Sequence, residues 1–190
     1  MKANSEPCRR VSAKIPARTL KTGYHGTKVL NAVKILSEGF KLDARLNRDP
    51  GDLGRGIYLY PKKRLAKMLN ECVLEVVVDV SNFLKLEPPR LYEVIGELRR
   101  KFGCTIRGNS GKNVWKERVE ASWKWREHFL KSGYKGLLVV GWDTGRKDGY
   151  EMVVFDTSTI KKARLVWVSS HSGFVDLQKK EDIDWVLSEP

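Results

Sequence analysis

Short apolar runs with period-two patterning alternate along this chain with segments whose apolar residues recur every three or four positions. The first pattern is typical of strands and the second of amphipathic helices. A dense β-branched run at 72–80 gives the strongest strand signal. Strands are predicted over 18–26, 56–60, 72–80, 136–141, 150–156 and 161–168, and helices over about 28–38, 61–69, 91–102 and 113–131.

The order of these elements favours an α+β fold with a mixed or mostly antiparallel sheet, because the strands are short and the later ones follow tight turns. No Gly-x-Gly-x-x-Gly motif follows a strand and no Walker-type loop is present, so neither common nucleotide-binding loop is predicted. The 190 residues predict one domain over 18–168, preceded by a basic arm (1–17) and followed by an extension (169–190).

The first helix carries terminal signals that fix its expected limits. Thr27 is a plausible N-cap, and Gly39 is placed to end the helix with a positive φ. Leu30, Val33 and either Ile35 or Leu36 are expected on its buried face. Residues 41–55 are rich in Asn, Asp, Pro and Gly and predict a loop.

The net charge of +13 favours polyanionic partners. Within 99–131, ten basic residues stand against three glutamates, interleaved with three tryptophans. One interpretation is an amphipathic helix whose tryptophans pack on the sheet; the other is a nucleic-acid surface with stacking aromatics. On the second interpretation the nucleic-acid-binding candidates are Arg107, Lys112, Lys116, Arg118, Lys124 and Arg126.

The three cysteines are widely spaced, so the sequence predicts neither a disulfide framework nor a metal cluster. Cys72 lies in the strongest strand and is expected to be a small core residue. No apolar window approaches the length of a membrane span, and no signal peptide is recognisable. We therefore expect a reducing, cytoplasmic setting and no membrane partner.

Three short segments carry the candidate chemistry: residues 24–27 (Tyr-His-Gly-Thr), 54–60 (Gly-Arg-Gly-Ile-Tyr-Leu-Tyr) and 151–156 (Glu-Met-Val-Val-Phe-Asp). Singly, each has an ordinary structural interpretation. His25 suits a strand end and Tyr58 suits a packed strand. Glu151 opens an apolar strand, where a carboxylate is costly unless it is paired or solvated.

Together, in this order and with a helix between the first two, the segments resemble the catalytic domain of the poly(ADP-ribose) polymerase and diphtheria-toxin branch of the ADP-ribosyltransferases. That branch carries a His-Tyr-Glu triad on a split sheet with flanking helices. The resemblance spans roughly residues 20–168 and implies NAD as substrate, without a metal.

By this resemblance His25, Tyr58 and Glu151 are the catalytic residues. His25 would bond a ribose hydroxyl, Tyr58 would stack on nicotinamide, and Glu151 would stabilise the positively charged ribose. The cofactor-binding candidates are His25, Gly26, Thr27, Tyr58 and Tyr60, where Gly26 would hold the carboxamide through its backbone.

The resemblance implies transfer of ADP-ribose, more in keeping with mono- than poly-transfer, to a macromolecular acceptor that is nucleic acid or protein. Gly149 replaces the Glu or Gln that arginine-modifying toxins carry two residues before the catalytic Glu, so an arginine acceptor is not expected. Leu69 stands where polymerases carry a second stacking aromatic. Two alternatives stay open: a non-catalytic nucleic-acid-binding domain of the same fold, and an NAD-dependent RNA 2′-phosphotransferase.

Overall fold

The fold has two sheets in two layers; of the four helices that the structure describes, three lie on the outer faces and one packs into the core between the sheets. A computed structural model of the chain describes residues 19–42, 51–68, 70–104, 112–140 and 150–169. The strands are β1 (Leu20–Thr27), β2 (Ile57–Leu59), β3 (Cys72–Asp79), β4 (Phe83–Leu86), β5 (Gly136–Val140), β6 (Tyr150–Val154) and β7 (Ile160–Val168); the helices are α1 (Val29–Glu38), α2 (Lys63–Lys67), α3 (Arg90–Phe102) and α4 (Lys112–Lys131).

One sheet has three antiparallel strands in the order β1-β3-β7, and the other has four in the order β2-β6-β5-β4. Within the second sheet only the β4–β5 pair is parallel. The prediction of an α+β domain with a mostly antiparallel sheet is confirmed at this level. Within the described ranges, one backbone bridge, Tyr24 to Tyr60, joins the edge strand β1 of one sheet to the edge strand β2 of the other.

Two hydrophobic cores hold these layers together. The inter-sheet core lies between the two sheets and α1, and it includes Cys72, as expected from the sequence. Burial of the Cys72 thiol raises its pKa to about 11, so the residue stays a neutral core side chain. The helical core lies on the opposite face of the four-stranded sheet, beneath α3 and α4, with Trp125 and Phe155 fully buried in it. The short helix α2 packs instead on β1 and β3, on the outer face of the three-stranded sheet.

Three local expectations are corrected. The strand β4 was not predicted, because four residues with no apolar alternation carry little signal and its partner β5 lies far along the chain. Thr27 is the last residue of β1 rather than a cap, and α1 begins after Lys28 without a side-chain cap. The Val29 amide donates instead to the Glu71 carboxylate, at 3.2 Å.

The buried face of α1 also differs from the expected one. Val29, Ala32 and Val33 are buried, whereas Leu30 is exposed. Gly39 does end the helix, with φ 78° and its amide bonded to the Ile35 carbonyl. Among the described residues, no helix is long and apolar enough to cross a bilayer.

Candidate functional site: the junction of the two sheets

The three motif segments meet where β1, β2 and β6 come together. The Tyr24 amide donates to the Tyr60 carbonyl and the Tyr60 amide to the Tyr24 carbonyl, both at 2.8 Å. Because backbone polar groups alternate sides along an antiparallel strand, the amide and carbonyl of Gly26 point the same way as those of Tyr24, toward β2. The Val80 amide donates to the Thr19 carbonyl at 3.0 Å. The backbone amides and carbonyls of odd-numbered residues along β1 therefore point toward β3.

The backbone pairing between β1 and β2 does not extend from Tyr24 to Gly26. A continued ladder would place Gly26 opposite Tyr58, but in the described part of the chain the bridge at Tyr24 and Tyr60 is isolated. The Tyr58 carbonyl instead accepts a hydrogen bond from Nδ1 of His25, at 3.0 Å. The His25 side chain thus takes the place that a Gly26 amide would fill. The gap leaves the Gly26 amide and carbonyl directed into the junction between the sheets.

The contact with Tyr58 fixes how His25 can act. Since a carbonyl only accepts, Nδ1 carries the proton, and a neutral ring then offers Nε2 as an acceptor. Burial lowers the pKa of His25 below 6.5, partly opposed by the bond to the Tyr58 carbonyl. The ring also packs edge-on against Phe40, with centroids 5.3 Å apart. His25 is therefore a neutral, oriented acceptor at pH 7.

The glycine at position 26 has a packing reason of its own. An added Cβ would lie 2.3 Å from both the Ala66 carbonyl oxygen and Nδ2 of Asn70. Asn70 itself donates to that carbonyl at 3.0 Å, which closes the end of α2 over β1. Close contact on this face thus requires glycine whether or not a ligand occupies the junction.

Tyr58 is held by the glycine-rich segment before it. Its hydroxyl donates to the Gly54 carbonyl and accepts from the Leu53 amide, each at 2.9 Å. An added Cβ at Gly51 would lie 2.3 Å from that hydroxyl oxygen, so the segment lies directly against the ring. Gly51 and Gly54 have φ of 76° and 99°, a conformation that other residues rarely adopt. The half-buried ring is consequently fixed in one orientation.

Glu151 lies on β6 beside β2. Val139 on β5 is its partner, and extending the β2–β6 register by one residue puts Tyr60 opposite it. Strand alternation places the half-buried Glu151 on the same face as Tyr58 and Val153, toward the helical core, whereas His25 lies on the inter-sheet side. The side chains of Glu151 and Tyr58 thus lie on the same face of the four-stranded sheet. The His25 side chain contacts this sheet through its hydrogen bond to the Tyr58 carbonyl.

The other junction candidates have mainly backbone roles. Tyr60 forms the bridge to Tyr24, and the register puts its side chain on the Tyr58 face. Thr27 is buried at the end of β1, opposite Cys72. Among the described residues, no group of three or more His, Cys, Asp or Glu side chains is arranged to hold a metal ion.

Two of the six nucleic-acid candidates are engaged inside the protein. Arg126 donates to the Phe155 carbonyl from both Nε and Nη2, at 3.0 and 2.8 Å. Burial lowers the pKa of Arg126, although the nearby Asp156 and Glu127 oppose the shift. Arg118 is 5% exposed, with Asp52 3.7 Å away and the Trp115 ring beneath its guanidinium.

The remaining candidates differ in how far they reach solvent. Lys116 and Lys124 are exposed, and Lys124 pairs with Glu120 at 2.6 Å. Lys112 begins α4, but its side chain lies outside the description, and Arg107 falls outside the described residues. Outside them too are the arm 1–17, nearly all of the extension 169–190, Leu69 and Gly149.

Two of the three tryptophans of α4 are also packed, whereas Trp115 is exposed. Trp125 is buried and donates to the Gly103 carbonyl at 3.2 Å. The half-buried Trp123 ring lies between the guanidinium groups of Arg55 and Arg126, at 5.7 and 5.4 Å. Trp125 therefore packs against the sheet as the first interpretation of this helix expects, whereas Trp123 packs against arginine side chains.

Sequence reasoning missed the groups that position the junction residues. Leu53 and Gly54 bind the Tyr58 hydroxyl, and Asn70 closes the back of Gly26. The closely spaced glycines before Tyr58 were the available signal. Glycine tolerates a positive φ, so glycines next to an aromatic residue indicate that the backbone can turn closely against its ring. Nothing in the sequence marked Asn70.

Comparisons with known proteins do not assign a family. No protein-family model and no curated protein matches the chain. Among solved structures, the chain is similar to one described as an anti-CRISPR protein, with 12% identity and a TM-score of 0.36, covering 80% of this chain and 100% of that one. A similarity of this size carries no argument about fold or function.

Proposed function

We propose that the chain is an NAD-dependent ADP-ribosyltransferase whose site is the junction of the two sheets. The observation that carries the proposal is the interrupted pairing of β1 and β2, which turns the Gly26 amide and carbonyl into the junction beside His25. A donor and an acceptor side by side on one residue match the two hydrogen-bonding groups of a carboxamide. Nicotinamide carries such a group.

His25 supports the same assignment through its protonation state. With Nδ1–H donated to the Tyr58 carbonyl and the pKa lowered by burial, Nε2 accepts a hydrogen bond from a ribose hydroxyl. A protonated imidazole would lack that acceptor. The environment of His25 thus suits a sugar and offers no charge attraction for a phosphate.

Tyr58 and Glu151 would act on the reacting ribose. The fixed Tyr58 ring offers an aromatic face to a cationic nicotinamide. As the bond between C1′ and the nicotinamide nitrogen breaks, its electron pair leaves with nicotinamide and positive charge develops on the ribose. The Glu151 carboxylate, fixed on β6, would stabilise that charge electrostatically until the acceptor attacks C1′.

The acceptor of ADP-ribose would be a macromolecule, with mono-transfer the simplest outcome. The net charge of +13 favours a polyanionic acceptor such as nucleic acid, because it attracts negative charge over a long range. A protein acceptor fits the same chemistry. The competing proposal is a binding domain that has no transferase activity.

The test is nicotinamide release from NAD by the wild-type protein and by Glu151→Gln, each with total RNA, sheared DNA or cell lysate. We expect release by the wild type to exceed that of Glu151→Gln by about 100- to 1000-fold, the range for removing one preorganised electrostatic group. Matching thermal unfolding midpoints would show that the variant folds. Absence of release under every condition, or equal release by both proteins, would overturn the proposal.

A further inference from the structure

A second basic surface lies on α2 and the adjoining face of the three-stranded sheet, away from the candidates on α4. Residues 61–70 contain four basic residues and no acidic one. These four, Lys62, Lys63, Arg64 and Lys67, have no ion pair with any residue that the structure describes. We call this surface the α2 face; it comprises Lys62, Lys63, Arg64, Lys67, Trp167 and Arg164.

The cations of α2 contact an aromatic ring, a backbone carbonyl or solvent rather than carboxylates. Nζ of Lys67 lies 4.6 Å from the centre of the Trp167 ring. Lys63 donates to the Val166 carbonyl at 2.6 Å, which ties α2 to the end of β7. Arg64 is exposed. The half-buried Trp167 ring and the cation over it offer stacking area and positive charge together.

The sheet beside α2 extends the surface. Since Leu74, Val76 and Leu165 face the inter-sheet core, alternation puts Glu75 and Arg164 on the outer face. Their pair, at 2.7 Å, leaves Arg164 largely exposed, and Lys162 is exposed on the same strand. Tyr24, half-buried opposite Glu75, adds a second ring.

The α2 face adjoins the junction. Ala66 and Asn70 lie directly against Gly26, and Tyr24 is the residue that bridges to β2. An extended ligand bound across α2 would therefore pass the edge of the junction. By contrast, the described lysines near the C-terminal end of α4 each face a glutamate on that helix.

We propose that the α2 face binds single-stranded nucleic acid. The α2 face combines cations on α2 that have no described acidic partner with two partly exposed rings. Proteins use positive charge and aromatic rings together to follow a phosphate backbone while stacking unpaired bases. A duplex would hide the base faces that Trp167 and Tyr24 could contact. This proposal concerns binding and does not rest on NAD cleavage; if both hold, the bound strand is the natural acceptor.

The test measures fluorescence anisotropy of a labelled oligouridine of about 16 nucleotides, the upper range for one small binding domain. The test variant is Arg64→Glu/Lys67→Glu in the full chain. Its matched control is Lys124→Glu/Lys131→Glu, which changes the net charge equally on the solvent side of α4. Thermal midpoints of both variants establish that they fold.

We expect the α2 variant to bind about 10-fold or more weakly and to lower the salt slope by about 1.4, as for two lost phosphate contacts on a single strand. The α4 control should change the affinity less than about 3-fold, through the long-range field alone. A third variant, Trp167→Leu, should weaken binding at least about 5-fold, as for one lost stacking contact.

Equal losses of oligonucleotide affinity in the two charge variants would overturn the proposal. The overall positive charge of the protein, and not the α2 face, would then set the affinity. Tighter binding to phosphatidylserine vesicles than to the oligonucleotide, with the same dependence on Arg64 and Lys67, would also overturn the proposal. That result would assign the α2 face to a membrane surface.

Discussion

The helices α2 and α4 are both strongly basic, but their charges are placed differently. On α4, Arg126 binds the Phe155 carbonyl, Arg118 is buried beside Asp52, and Lys124 pairs with Glu120. On α2, no described acidic residue pairs with Lys63 or Arg64. The longer helix thus uses its arginines to hold the fold. On the short helix Arg64 is exposed, Lys67 lies over the Trp167 ring and Lys63 donates to the Val166 carbonyl.

This difference shows that a count of charges does not identify a binding surface. A guanidinium can saturate a buried carbonyl as well as a phosphate, and its five donors make it suited to both. Where each charge lies must be known before a partner is assigned.

The largest effect is expected from Arg126→Met. The Phe155 carbonyl would lose both of its bonds from Arg126, and hydrogen bonds to a charged group contribute about 1.5–3 kcal/mol. We expect the free energy of unfolding, measured by urea titration, to fall by about 3 kcal/mol. Oligonucleotide affinity per folded molecule should be unchanged.

Lys124→Met is the matched control on the same helix. Its pair with Glu120 is exposed and screened by solvent, so the unfolding free energy should barely change. Equal losses in the two variants would show that the arginines of α4 hold the fold no more than its surface lysines do.

Gly26→Ala should destabilise the protein by about 1–3 kcal/mol, the usual cost of overpacking, because the new methyl group would meet Ala66 and Asn70. Gly96→Ala provides the contrast. An added Cβ there meets only Nη1 of Arg100 at 3.6 Å, and alanine inside a helix gains up to about 1 kcal/mol over glycine. Differential scanning calorimetry measures both; an unchanged midpoint for Gly26→Ala would contradict the packing described at α2.

Tyr58→Phe tests the two hydrogen bonds that fix the Tyr58 ring. The variant removes the hydroxyl that joins Leu53 and Gly54, so we expect a loss of about 1 kcal/mol, typical of neutral hydrogen bonds. Amide exchange should also accelerate at Leu53, whose amide loses its acceptor. Unchanged exchange at Leu53 would show that the segment is held without the tyrosine.

The pH dependence of His25 gives the smallest effect. Because burial lowers its pKa in the folded state, the unfolded chain takes up a proton first as the pH falls below 6.5. The contribution of His25 to stability is therefore complete above pH 6.5 and is lost as the pH falls through the lowered pKa. Urea titrations of wild type and His25→Gln across this range should converge at acid pH; a constant difference would contradict a neutral His25.

Most of the fold followed from local patterns. The run at 72–80 and the helical period at 113–131 appear as β3 and α4 with nearly the expected limits. The strand β4 did not follow, because its parallel pairing with β5 is non-local and leaves no alternation in Phe83–Leu86. The cap of α1 did not follow either, since Glu71, the residue before β3, supplies it from far along the chain.

The candidate site was predicted as residues but not as an arrangement. The motifs named His25, Tyr58 and Glu151, and the assignment of NAD chemistry to them stays a prediction. What the sequence could not contain was the interruption after Tyr24, since it depends on His25 bonding the Tyr58 carbonyl of a different sheet. Likewise, the inward turn of Arg118 and Arg126 depends on where α4 packs.

The most direct test of the junction is a two-dimensional amide NMR titration of the isotope-labelled protein with NAD and with nicotinamide. The account predicts that the Gly26 amide is among the resonances that shift most with either ligand, because its N–H points into the gap beside β2. It also predicts little change at Ser122 or Trp125 on α4. Shifts confined to α4, or a Gly26 amide that does not respond to saturating NAD, would contradict the account.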